Sequence, residues 1–234
     1  MPLDPPRASR YDAISYLMIF LLFGPPGCGK GTQAVVLASR LNIPAISTGE
    51  MFRAEHNAGT EIGKAACKLL AEGKLVSDEL VNAMVVSRTG REDCANGFLL
   101  DGYPRTAPQA IFLSQLARER GWPEPVVIHL DVADELLVTR LTARRQCPTC
   151  LHIYNIVSHP PRVEGICDHD GAPLITRDDD REEVIRRRLR AYDELTGPVL
   201  KWYGPKSVIT VDGSGTAAEV SEAVARGTGL LACR

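Results

Sequence analysis

The chain lacks a long hydrophobic run, an excess of charge of one sign, an even set of cysteines, and any internal repeat or low-complexity tract. Each absence excludes a class of protein. The longest apolar stretch, Ile14–Phe23, is interrupted by Ser15 and is too short to cross a bilayer. Arg7 and Arg10 before it resemble the start of a secretory signal. A small-residue cleavage site should then follow, and Gly24-Pro25-Pro26-Gly27 stands there instead. The formal net charge is -2, so the basic excess of a protein that coats nucleic acid is missing. Seven cysteines are an odd number, in a chain too long to depend on a disulfide framework. Neither a membrane nor nucleic acid is an expected partner, and a reducing cytoplasm is the expected compartment.

What is present is ordinary for a globular protein. Hydrophobic residues make up 44% of the 234 residues and charged residues 24%, enough for one sizeable core with small inserted subdomains. Apolar strand-like runs fall at Met18–Phe23, Ile43–Ser47, Phe98–Asp101, Val126–Asp131 and Val208–Val211. Helical periodicity lies between them at Lys30–Leu41, Glu61–Glu72, Asp78–Ser87, Pro108–Arg120, Ala133–Arg145, Arg181–Trp202 and Thr216–Ala225. Alternation of short, continuous apolar strands with helices predicts an α/β fold, a parallel sheet of five strands covered by helices on both faces. Residues 1–17, rich in Pro and Arg near the start, are expected to form a poorly ordered extension, with Met18 a possible true start. Ser47–Val76 and Cys147–Ile175 break the alternation and read as insertions over the carboxyl edge of the sheet, where such folds bind ligands.

Gly24-Pro25-Pro26-Gly27-Cys28-Gly29-Lys30-Gly31-Thr32 matches G-x-x-x-x-G-K, between a strand and a helix as a phosphate loop requires. Glycines let backbone N–H groups turn toward phosphate oxygens, and the following helix adds its positive N-terminus. Lys30 is then a mobile point charge for the outer phosphates. The hydroxyl arrives at Thr32, one position later than in GTPases and motor ATPases. At Gly97–Thr106 a strand ends in Asp101, placed to hold hydrated Mg²⁺. A turn through Gly102 follows, with Arg105 a candidate bidentate phosphate ligand and Gln109 a candidate reader of a base edge. In Ser47–Arg53, Thr48 resembles a helix N-cap and Arg53 lies about a turn and a half on.

The cysteines cluster once. Cys147 and Cys150 form one ligand pair, and Cys167-Asp168-His169-Asp170 offers a second, with 151–166 between them. That spacing points to a structural Zn²⁺ site. Asp170 is the fourth ligand that the spacing selects, and His169 is the alternative. Four protein ligands leave no open position, so the metal would be a staple and not a catalyst.

GPPGCGKGT, STGEMFR, GKLVSDELV, GFLLDGYPRTAPQA and VDG together resemble the adenylate kinases, in family order from about Met18 to near the C-terminus. The form is most similar to the long bacterial one with a large lid. The resemblance implies the P-loop nucleoside monophosphate kinase fold, the reaction ATP + AMP ⇌ 2 ADP with Mg²⁺, an AMP-binding insertion at 47–76 and a zinc-clipped lid at 143–180. It further implies roles by position. Gly27, Cys28, Gly29, Lys30, Gly31 and Thr32 hold the ATP phosphates. Arg140 and Arg144 are ATP-side arginines, and the backbone around Gly215 contacts the ATP base. Thr48, Arg53, Lys74, Val76, Gly102 and Gln109 meet AMP. Arg105 bridges the AMP phosphate and the transferring group, and Arg177 and Arg188 clamp phosphates from the lid and hinge.

Composition agrees in one respect. Arg140–Arg190 holds ten Arg and no Lys, with eight acidic residues. Phosphoryl transfer to an already anionic acceptor needs cations and positioning, and no general base. The alternatives are a kinase for another base (UMP or CMP as acceptor, GTP as donor), a non-catalytic nucleotide sensor, or a nucleic-acid-binding zinc module with Tyr154 as its stacking aromatic. No apolar interface stripe is evident, so a monomer is expected.

Overall fold

A computed structural model describes residues 17–205 and 207–230. The expectation for residues 1–17 therefore lies, except for Leu17, outside the described residues.

Five parallel strands form the central sheet in the order β2-β3-β1-β4-β7: β1 (Met18–Phe23), β2 (Ala45–Ser47), β3 (Gly97–Asp101), β4 (Val126–Asp131) and β7 (Val208–Asp212). Phe20, Leu21, Leu99, Leu100 and Ile128 are fully buried, because helices cover both faces of the sheet at its centre. One face carries α1 (Lys30–Leu41), α6 (Asp134–Thr142), α7 (Glu182–Ala191) and α9 (Ala217–Gly227), packed through residues such as Leu37, Leu137, Ile185 and Val224. The other carries α4 (Asp78–Thr89), α5 (Ala107–Glu119) and α8 (Gly197–Tyr203), through Val85, Leu113 and Val199. Strand β1 pairs with β3 on one side and β4 on the other. The chain reverses its direction of winding across β1, so the crevice beyond the carboxyl end of β1 is the natural ligand position.

Two segments rise over that crevice. Helices α2 (Thr48–Asn57) and α3 (Glu61–Ala71) pack on each other. The second segment holds a small antiparallel ribbon, β5 (Arg144–Gln146) with β6 (Ile153–Asn155). They meet at the rim, where the Asn57 amide donates to the Pro148 carbonyl at 3.4 Å.

Three expected boundaries shift. The helix over Ala133–Arg145 ends at Thr142, because Arg144 and Arg145 join the ribbon opposite Asn155 and Tyr154. The strand over Ile43–Ser47 is confined to Ala45–Ser47. The long helix over Arg181–Trp202 changes character at Tyr192–Thr196, where Gly197 N–H donates to the Tyr192 carbonyl five residues back. Pro198 explains this. It has no N–H to give to the carbonyl of Glu194 and its ring would strike it, so the turn ahead of it widens.

Candidate active site

The carboxyl end of β1 turns directly into the phosphate loop. Gly24 sits at φ +148°, and a Cβ there would come within 2.7 Å of the Leu130 carbonyl, so only glycine lets the loop lie this close to β4. Helix α1 opens at Gly29 with no side-chain cap and no acidic residue in its first turn. Its N-terminal N–H groups are thus left for an anion. The Lys30 ammonium donates to the carbonyls of Gly24 at 2.6 Å and Pro25 at 2.9 Å, which lays it across the mouth of the loop.

A cleft of about 1130 Å³ runs from this loop beneath both overlying segments. Gly27, Cys28, Gly29, Gly31 and Thr32 line it beside Lys30. From the sheet edge come Asp101, Gly102 and Arg105, from the α2–α3 segment Arg53 and Lys74, and from the opposite wall Arg140, Arg144, Arg177, Arg188 and Gly215. Residues far apart in sequence thus converge on one cavity. The Asp101 carboxylate has no hydrogen bond from any described side chain, which leaves it free for a hydrated cation. Burial raises its pKa, against the pull of Lys30 and Arg105.

The guanidinium groups are only partly paired. Arg144 forks onto Asp180, through Nε at 2.7 Å and also through Nη2. Arg188 meets Asp179 at 2.9 Å. Arg140 donates to the carbonyls of Gly213, Ser214 and Gly215 at 2.8, 2.9 and 3.2 Å, so it fixes the loop after β7. By contrast, Nε of Arg53 and Nη2 of Arg177 are buried without any partner. Burial pushes the Arg53, Arg105 and Arg188 groups down from the usual arginine range. For Arg177 burial acts together with the neighbouring Arg144 and Arg53. Unpaired buried donors of one charge are costly unless an anion joins them. Phosphate oxygens are the ligand that these donors fit.

Some expected residues stand back from the cavity. Thr48 is buried and donates to the Gly102 carbonyl at 3.2 Å; Ser47, not Thr48, is the N-cap of α2. Val76 is packed in the core, while Lys74 and Leu75 line the cleft. Gln109 is 2% exposed. Its Oε1 accepts from Arg105 N–H and its Nε2 donates to Asp78, both at 2.7 Å. Asp179, Tyr192 and Thr196 also line the cleft and were not singled out from the sequence. A lone aspartate in an Asp178–Asp180 run and two helical residues carry no motif. Tyr154 is 2% exposed and offers no stacking surface to a nucleic acid, because its ring packs with Cys147 and Cys167.

One ligand atom from each of Cys147, Cys150, Cys167 and Asp170 lies within 4.8 Å of the others. The Cys150 N–H donates to Cys147 Sγ at 3.4 Å, a contact that steadies a metal-bound thiolate. The ring of His169 lies tilted against that of His152, with centroids 4.4 Å apart, outside this set. Three sulfurs and one carboxylate in a closed cluster fit a structural zinc ion.

The family model for adenylate kinase matches residues 22–208. The chain belongs to the adenylate kinase family. It is 46% identical over 200 residues to the adenylate kinase of Anaeromyxobacter dehalogenans, covering 85% of this chain and 94% of that one. It is 49% identical over 199 residues to the adenylate kinase of Methanococcoides burtonii, covering 85% and 92%. The adenylate kinase of Oceanobacillus iheyensis is 50% identical over 192 residues, covering 82% and 89%. The adenylate kinase family also accounts for the five-stranded parallel sheet and the phosphate loop, and the chain is a phosphotransferase of this kind.

Proposed function

We propose that the chain catalyses ATP + AMP ⇌ 2 ADP by holding two nucleotides end to end in the cleft. A phosphate oxygen of AMP attacks the γ-phosphorus of ATP in line, and the bond to the bridging oxygen breaks to release ADP. The acceptor is already anionic near neutral pH, so no base is required. The loop amides and Lys30 hold the ATP phosphates, with Arg140 and Arg144 on the same side. Arg53 takes the AMP phosphate and Arg105 bridges the two. Thr48, Gly102, Lys74, Val76 and Gln109 support the AMP pocket, while Gly215 backs the ATP base. Arg177 and Arg188 close over the phosphates from the segment 143–180, acting as a lid above the AMP-binding segment 47–76. Asp101 would hold Mg²⁺ through its waters, and that ion would screen the charge of the phosphates.

The observation that carries this reading is the pair of orphaned buried donors on Arg53 and Arg177, set in one cleft with Lys30. Cys147, Cys150, Cys167 and Asp170 would hold Zn²⁺ and staple a ribbon too small for a core of its own. Every residue given a role above lies within one chain, so this reading needs no partner subunit and takes the protein as a monomer. The odd count of seven cysteines, three of them in the metal-type cluster, is the ground for proposing a reducing, cytoplasmic setting. Among the described residues no helix is long and apolar enough to cross a membrane.

The test crosses ATP, GTP and UTP as donors with AMP, CMP, UMP and GMP as acceptors. ATP with AMP should have the highest kcat/KM. A pyrimidine acceptor or GTP donor preferred by about tenfold would replace this reading, since base contacts set that ratio.

A further inference from the structure

Four threonines in or at the end of helices bond back to their own helix. Thr89, Thr139, Thr142 and Thr228 each return the hydroxyl to the carbonyl four residues back, at 2.7 to 3.0 Å, as helical threonines commonly do. Thr196 does not. Its hydroxyl leaves its own helix and donates to the carbonyl of Arg105 at 3.1 Å, across 91 positions of sequence. Thr196 ends the widened turn ahead of Pro198, where the Tyr192 carbonyl receives Gly197 N–H five residues on.

Arg105 is held at three points. Its N–H donates to Gln109 Oε1 at 2.7 Å, its Nε donates to the Gly102 carbonyl at 2.8 Å, and its own carbonyl receives Thr196. The first two ties are made within the same turn and the start of α5. Thr196 alone comes from the long helix that also carries Arg188, on the other side of the cleft. Neither Nη group of Arg105 has a hydrogen-bond partner among the described residues, so the ties fix the residue while leaving the fork free. Thr196 itself is 5% exposed, which shields the bond from competing water.

We infer that Thr196 is a positioning residue for Arg105, holding its fork at the height where the acceptor phosphate and the transferring group meet. This rests on the reading of Arg105 as the bridge between the two phosphates. A displacement of a charged donor by a fraction of an ångström matters most for a group that must meet both partners in the transition state.

The experiment compares Thr196→Val, Thr196→Ser, Arg105→Ala and the double variant Arg105→Ala with Thr196→Val, by steady-state kinetics and thermal unfolding. Thr196→Val should lower kcat/KM for AMP about tenfold, the scale of one ordinary hydrogen bond, with KM for ATP changed by less than about twofold. Thr196→Ser keeps the hydroxyl and should restore the rate. On the Arg105→Ala background, Thr196→Val should cost nothing more. If Thr196→Val does not fold, Thr196→Ala carries the same comparison. Wild-type AMP kinetics in a folded Thr196→Val, or an equal loss with and without Arg105, overturns the inference while Arg105 keeps its role. Full activity in Arg105→Ala would overturn the bridging role itself, and the inference with it.

Discussion

Cys150 Sγ stands 3.5 Å from Cys167 Sγ. A disulfide requires about 2.05 Å, whereas two thiolates on one tetrahedral zinc stand about 3.8 Å apart. Protein purified without added zinc should therefore carry close to equimolar metal. Chelation should lower the melting midpoint and leave kcat, measured well below it, nearly unchanged. Asp170→Ala should lose the metal and His169→Ala should retain it. Loss in the histidine variant would exchange the two assignments.

Lys30 spans the loop mouth on two carbonyls. Lys30→Met should reduce kcat by on the order of 100-fold or more, the scale of a lost transition-state donor. Thermal unfolding should be close to wild type. A loss confined to KM would mean that Lys30 serves binding alone.

Asp179 faces the cleft beside Arg188, while its neighbour Asp180 is fully enclosed by Arg144 and Arg188. Burial would raise the pKa of Asp179, but Arg188, then Arg144, Arg177 and Arg53, outweigh it and hold it below the ordinary carboxylate range. A depressed carboxylate stabilises the fold above its unfolded pKa of about 3.9 and loses that contribution as pH falls through the lower folded value. Asp179→Asn should therefore melt below wild type near pH 7, with the difference shrinking in acid. It should also bind inorganic phosphate and ADP more tightly, because a competing anion has gone. Weaker ADP binding in isothermal titration would show that Asp179 helps the ligand and does not compete with it.

The Asn57–Pro148 bond is exposed and long at 3.4 Å, so it holds the two overlying segments together only weakly. If opening after chemistry limits turnover, Asn57→Ala should raise kcat by about twofold, and single-turnover rates should exceed steady-state rates in the parent protein. Equal single-turnover and steady-state rates would place the slow step in the chemistry.

The parallel sheet, the phosphate loop, Asp101 with Arg105, and the cluster of Cys147, Cys150, Cys167 and Asp170 were legible in the sequence by itself. Each is a local signal: a continuous apolar run marks a strand buried on both faces, and glycines at set spacing mark a loop that wraps phosphate. Pro198 was equally visible, yet the helical period ran through it, because periodicity records which face is buried and not which carbonyl receives which N–H. Tertiary structure decided what no window of sequence contains. It set the ring of His169, the alternative to Asp170, against His152 and outside the cysteine cluster. It withdrew Gln109 into bonds with Arg105 and Asp78, left Arg53 and Arg177 with unpaired buried donors, and brought Thr196 to Arg105. These are contacts across long sequence separations, set by how helices pack on the sheet, and a buried charge acquires its partners only when that packing is complete.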